Sequence, residues 1–125
     1  MLNSRSLKAL KGVHPDLVRV VMRAADLMPD GFIITEGLRT VERQKELFAK
    51  GLSKTMNSRH ITGHAIDFAP LLSDGTITWK WAAFAPIATS FKKAAAELKV
   101  PIVWGGDWKS FRDGPHIELS RAVYK

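Results

Sequence analysis

The chain has 125 residues, 46% hydrophobic and 25% charged, enough for one domain with a real core but not for two sizeable domains. It contains no cysteine, which excludes disulfides, thiolate metal sites and cysteine nucleophiles, so any transition-metal site must draw on His, Asp and Glu. Lys and Arg outnumber Asp and Glu by 19 to 12, and the resulting net charge of +7 favours an anionic partner such as nucleic acid, a membrane surface or an acidic wall polymer.

The first residues, Met1 to Lys11, carry no apolar stretch of the kind found in a secretory signal, and no apolar run approaches a membrane span. The expectation is a protein made in the cytoplasm with no stable membrane insertion. Leu7 and Leu10 suggest a short helix over 4–11, ended by Gly12. His14-Pro15-Asp16 reads as the start of a second helix, with His14 at its edge as a capping or surface residue. Leu17, Val18, Val20, Val21, Ala24, Ala25 and Met28 give that helix a broad apolar face, and Pro29-Asp30-Gly31 stops it. Phe32-Ile33-Ile34-Thr35 reads as a buried strand, after which Thr40 is placed to cap a helix running to about Lys50. Arg39 then falls at a strand-to-helix junction, and 52–59 reads as an exposed loop.

Beyond Gly63 the pattern alternates. Ile66 and Phe68 point one way, and Ala65, Asp67 and Ala69 the other, the alanines leaving room beside Asp67. Asp74-Gly75 suggests a tight turn before a short strand at Thr76-Ile77-Thr78. Trp79 to Lys99 has helical spacing, and Pro86 is expected to confine the firm helix to its later part. Val100 to Trp104 is a further strand, Gly105 to Trp108 a loop, and Pro115 to Leu119 a final alternating segment with His116 and Glu118 on one face. Helices and strands in this order predict a single α+β domain spanning 1–125, built on a small, largely antiparallel sheet and without a separate wall-binding domain.

The chemistry gathers in two stretches. His60 and Asp67 form His-x6-Asp, and Asp113 and His116 form Asp-x-x-His. His60, Asp67 and His116 supply two nitrogens and one carboxylate, the three-ligand set of a catalytic zinc with a fourth position open to water. Asp113 lies close enough in sequence to reach that water without being a ligand. Each piece has a plainer reading: a histidine beside a glycine is often only a turn residue. Asp67 is the harder one to dismiss, because a buried carboxylate demands a cation or donors. His60 and His64, four apart, imitate a helical zinc pair, but Gly63 between them and the absent His-Glu-x-x-His glutamate argue against it.

Ser58-x-His60-x-x-Gly63-x-Ala65-x-Asp67 followed by Asp113-x-x-His116 resembles the signature of zinc peptidoglycan peptidases with the hedgehog/DD-peptidase fold. That family includes D-alanyl-D-alanine carboxypeptidases and dipeptidases and the L-alanyl-D-glutamate endopeptidases that phages use as endolysins. Glu36 to Thr40 with Gln44, and Trp104 to Trp108, are similar to further family segments. The resemblance implies Zn2+ on His60, Asp67 and His116, Asp113 as the catalytic carboxylate, and Arg39 as the group that stabilises the oxyanion. It further implies a monomer acting on peptidoglycan stem peptides, with release to the wall aided by a separate holin-like protein; the sequence carries no nucleic-acid-binding motif, so no nucleic-acid partner is expected. Hydrolysis of the L-Ala–D-Glu bond is the leading expectation. A D-alanyl-D-alanine carboxypeptidase or dipeptidase, and a non-catalytic zinc-containing wall-binding module, are the alternatives. Ser58 and His64 are expected to support the ligands and Glu118 to orient one. Trp104 and Trp108 could line a cleft, and Gln44 could simply face solvent.

Overall fold

The computed structural model describes residues 2–53, 56, 58–109 and 112–124. Helix α1 (Ser4–Ala9) is followed by α2 (Pro15–Leu27), strand β1 (Phe32–Glu36), α3 (Val41–Ala49), β2 (Ala65–Pro70), α4 (Trp81–Leu98), β3 (Ile102–Trp104) and β4 (His116–Leu119). The strands form one sheet in the order β1-β2-β4-β3, antiparallel throughout, so the expected α+β class holds.

Two-sided strands sort the sheet into two faces. Phe32 and Ile34 of β1, Ile66 and Phe68 of β2, and Ile117 and Leu119 of β4 join one core with Leu17, Val20, Val21 and Ala24 of α2 and Phe84, Ile87 and Phe91 of α4. Phe68 is at its centre, with ring centroids 5.5 Å from Phe84 and 5.2 Å from Phe91. Ala65, Asp67 and Ala69 belong to the opposite face. Helix α1 covers the outer edge of β1: the amide of Ile34 donates to the Ser6 hydroxyl at 2.9 Å, pairing a buried N–H that an open edge would leave bare.

Two sequence expectations need adjustment. Helix α4 starts at Trp81 rather than after Pro86, which lies in its second turn. Proline there forfeits a single backbone bond, and the buried face from Phe84 through Ile87 to Phe91 runs past it unbroken. Thr76-Ile77-Thr78 is no strand but a single bridge, Leu71 to Ile77, closing the turn at Gly75. The expected loop at 52–59 lies partly outside the described residues; Leu52 within it is exposed. As read from the sequence, His14 caps α2, its Nδ1 accepting the amide of Asp16 at 3.1 Å.

Candidate metal centre

The register of the sheet assembles the site. Between Ile34 and Glu36 the β1–β2 ladder slips by one residue, so that Glu36 pairs with Asp67, and Asp67 in turn pairs with His116. Glu36, Asp67 and His116 therefore form a row across three adjacent strands. Such a bulge re-aims a strand at the edge of a site. Trp104 pairs with Ile117, which brings Gly105 beside His116. A Cβ at Gly105 would lie 2.3 Å from the Asp113 carbonyl oxygen, so only glycine lets the Asp113 turn close over the strand end.

His60 comes from the turn before β2. Its amide donates to the Ser58 hydroxyl at 3.2 Å, and the amide of His64 closes the turn on the Arg59 carbonyl at 3.0 Å. Gly63 at φ +76 lets this turn pass 2.6 Å (measured to its hypothetical Cβ) from the Gly12 carbonyl, and its own carbonyl accepts the amide of His14 at 2.8 Å.

Both imidazoles have their proton positions assigned by their outer contacts. His60 Nδ1 lies 3.0 Å from the Gly37 carbonyl oxygen, which can only accept, so Nδ1 carries the hydrogen. His116 Nε2 lies 2.8 Å from Glu118 Oε1, a carboxylate that likewise accepts. The remaining nitrogens, His60 Nε2 and His116 Nδ1, point at the same oxygen, Asp67 Oδ1, at 3.2 and 3.5 Å. Two neutral imidazoles in these tautomers would aim lone pairs at a carboxylate. The arrangement requires a cation, either protons on the rings or a metal between them.

The residues fit a metal. The three ligand atoms lie within 4.8 Å of one another. Bonds of about 2.0–2.1 Å to a tetrahedral zinc would place neighbouring ligand atoms about 3.3 Å apart, and both contacts to Asp67 Oδ1 are of that size. Each histidine also has the outer hydrogen-bond acceptor that metal-binding imidazoles use.

Without a metal, protons take the place of the cation. Burial works against a charged His116, but its hydrogen bonds to Asp67 and Glu118 prevail and push it up to about 9. Burial likewise opposes the Asp67 carboxylate, yet hydrogen bonds from His116 and His60 hold it well below the usual range. Asp113 goes the other way: burial and the neighbouring charge of Asp67 raise it, with His116, His60 and Arg39 opposing.

These residues line a cleft of about 390 Å3 that also takes in Glu36, Arg39, Trp108 and Asp113. Arg39 is nearly buried, with Nε and Nη2 donating to the two oxygens of Glu36 at 2.6 and 2.8 Å and Nη1 to Gln44 Oε1 at 2.7 Å. Three of its five N–H groups are thereby held, leaving two facing no partner among the described residues. Gln44 does not face solvent: it is fully buried and bonds both Arg39 and Ser53. Within Glu36 to Thr40 the spacing of three between Glu36 and Arg39 is the sequence signal that the carboxylate clamps that side chain. Trp108 lines the cleft and packs on His116 at 5.1 Å, whereas Trp104 is a core residue whose Nε1 donates to the Gly114 carbonyl at 2.7 Å. His64 stands apart from the ligand group, its Nδ1 bonded to Thr62 Oγ1 at 2.6 Å.

Sheet and cleft together define a small α+β domain whose His60, Asp67 and His116 are grouped as a metal ion would need. The vancomycin-resistance D,D-dipeptidase VanXYg shares this fold at 16% identity, with a TM-score of 0.56 over 86% of this chain and 50% of that one. At closer range the chain belongs to the phage L-alanyl-D-glutamate peptidase family, which residues 1–120 match. It is 39% identical to the L-alanyl-D-glutamate peptidase of Escherichia phage T5 over 95% of this chain and 88% of that protein. The L-Ala D-Glu endopeptidase ChiX of Serratia marcescens superposes with a TM-score of 0.91 at 43% identity, covering 97% of this chain and 90% of that one. The fold and family expected from the motifs are borne out.

Proposed function

We propose that this chain is a zinc-dependent endopeptidase that hydrolyses the L-Ala–D-Glu bond of peptidoglycan stem peptides, acting on the wall as a phage-type lytic enzyme. The observation that carries the chemistry is the convergence of His60 Nε2 and His116 Nδ1 on Asp67 Oδ1, an arrangement that needs a cation. The substrate follows from the relatives: those at 39% and 43% identity over nearly the whole chain bear the L-alanyl-D-glutamate name, while the D,D-dipeptidase shares the fold alone.

His60, Asp67 and His116 would hold the zinc, which when bound supplies Lewis acidity for the scissile carbonyl and lowers the pKa of water. Asp113, on the cleft wall, takes a proton from the attacking water at its carboxylate and returns it to the leaving amine of D-Glu. Its raised pKa in the metal-free cleft reflects burial first and the nearby negative Asp67 second. Arg39 turns its two uncommitted N–H groups toward the carbonyl oxygen as charge develops there, while Glu36 and Gln44 keep the guanidinium from swinging. Trp108 walls the cleft beside His116 and limits water around the reacting peptide. The positive surface, +7 net, favours residence on an anionic wall.

The test is a digest of purified muropeptides read by mass spectrometry. A new D-Glu amino terminus supports the assignment. Release of terminal D-Ala alone would make the chain a carboxypeptidase, and no cleavage with zinc loaded would make it a binding module.

A further inference from the structure

His116 differs from His60 in how it is held. His60 is fixed by a backbone carbonyl, which cannot leave; His116 is fixed by a side chain, Glu118. Both lie on one face of β4, two residues apart, and both are buried. A half-turn of the His116 ring about its Cβ–Cγ bond would swap Nδ1 for a carbon and aim C–H at Asp67. The bond from Nε2 to Glu118 Oε1 at 2.8 Å is what selects the productive orientation and puts the hydrogen on Nε2.

Glu118 cannot do this alone, because a buried carboxylate with one partner is costly. Its second oxygen faces Arg121 Nε at 3.6 Å and Arg59 Nε at 3.8 Å. Arg121 is two-thirds exposed, and solvent screens its charge; the Arg59 side chain is only 10% exposed. Arg59 Nη2 donates to the carbonyls of Leu119 and Tyr124 at 3.0 and 2.7 Å, which pins the guanidinium behind β4. Its Nε is buried without a hydrogen bond, so the Glu118 carboxylate is the group that compensates it. Arg59 also immediately precedes His60, and its carbonyl closes the turn that presents that ligand. One residue thus ties the His60 turn to the strand that carries His116.

We infer that Glu118, backed by Arg59, is a positioning residue that fixes His116 as an Nδ1 metal ligand, with the hydrogen on Nε2. This rests on the metal centre proposed above and goes beyond it. Carboxylates in this outer position strengthen metal binding because they orient the ring and raise its basicity.

The experiment measures zinc affinity by competition with a chromophoric chelator for the wild type, Glu118→Gln, Glu118→Ala and Arg59→Ala, alongside unfolding of the metal-free forms. Glu118→Ala should bind zinc about 10–100-fold more weakly. Glu118→Gln should stay within about fivefold of wild type, since its amide oxygen still accepts the Nε2 hydrogen. Arg59→Ala should weaken zinc binding in the same direction as Glu118→Ala. A purely structural Glu118 would lower the unfolding midpoint and leave zinc affinity untouched, and that result overturns the inference. Long-range proton–nitrogen NMR on the zinc-loaded wild type reads the tautomer without any variant: hydrogen on Nε2 of His116 supports the inference, and hydrogen on Nδ1 overturns it. Failure of the wild type to take up zinc would instead bring down the metal centre itself.

Discussion

The metal-free protein should lose stability on going from neutral to mildly alkaline pH, and zinc should abolish that loss. His116 is pushed up to about 9 from an ordinary 6.5, so the fold prefers its protonated form. The stabilisation is fully present below pH 6.5 and disappears as pH rises through about 9. A gap of that size corresponds to about 3 kcal/mol of folding free energy. The depressed Asp67 reports the same contact from its other partner, so its contribution is not added; it is lost at the acid end instead. For a domain of this length about 3 kcal/mol moves the unfolding midpoint by on the order of 10 °C. The assay is thermal and urea unfolding of chelator-treated and zinc-loaded protein between pH 6 and 9.5, short of the ordinary tyrosine range. In the loaded form the ion would take over the proton's role, and the curve should stay level from pH 7 upward. A metal-free protein equally stable at pH 6.5 and 9.5, with no histidine signal titrating near 9 by NMR, would refute the reading of His116 as the proton-holding partner of Asp67.

Replacing Asp67 by Asn removes the negative charge on which both imidazoles converge; zinc uptake should vanish, and stability should fall by about 3–5 kcal/mol, as when a buried ion pair loses one member. Metal analysis and urea unfolding read the two effects separately. Asp113→Asn should retain zinc but cut kcat by about 10²–10⁴, the range for a missing general base; undiminished turnover would remove Asp113 from its role. Arg39→Lys should lower kcat by about 10²–10³ with zinc content unchanged, because an ammonium cannot span both oxygens of Glu36 and still present donors to the cleft. Gly105→Ala should destabilise the domain and disturb Asp113, since its Cβ would fall 2.3 Å from the Asp113 carbonyl oxygen; circular dichroism melting with steady-state kinetics checks both.

What could be read from the chain was whatever local pattern governs. The alternation Ala65 to Ala69 assigned Asp67 to the face opposite Ile66 and Phe68, and the structure keeps those two sets apart. His116 and Glu118 shared a face in the alternation of β4, and they are hydrogen-bonded there. Long-range register was invisible. Nothing local announces that β1 slips by one residue at Thr35, so the row of Glu36, Asp67 and His116 could not be seen in advance. Burial of polar side chains was equally hidden: Gln44, on a polar helix, is drawn fully inside because Arg39 and Ser53 offer it partners. Pro86 misled because its cost depends on how close it lies to the helix start, which only tertiary packing decides.

The division of the sheet into two faces explains why so small a domain can hold so polar a site. All apolar residues of α2 and α4 that reach the sheet pack on one side, leaving the other free to be built from charged groups. On that side the groups are arranged in pairs that each lack something. Asp67 lacks a cation, His60 and His116 present bare nitrogens, and Arg59 has an unbonded Nε beside Glu118. A single divalent ion satisfies the first three at once, and it does so without the proton that the metal-free site must borrow. Metal affinity should therefore rise with pH as His116 surrenders its proton, by up to about tenfold per pH unit below about 9. In the proposed metal centre, folding and metal uptake draw on the same three atoms, His60 Nε2, Asp67 Oδ1 and His116 Nδ1. A substitution that weakens one without the other must act on the surrounding frame, at Gly37, Arg59 or Glu118, and not on the ligands.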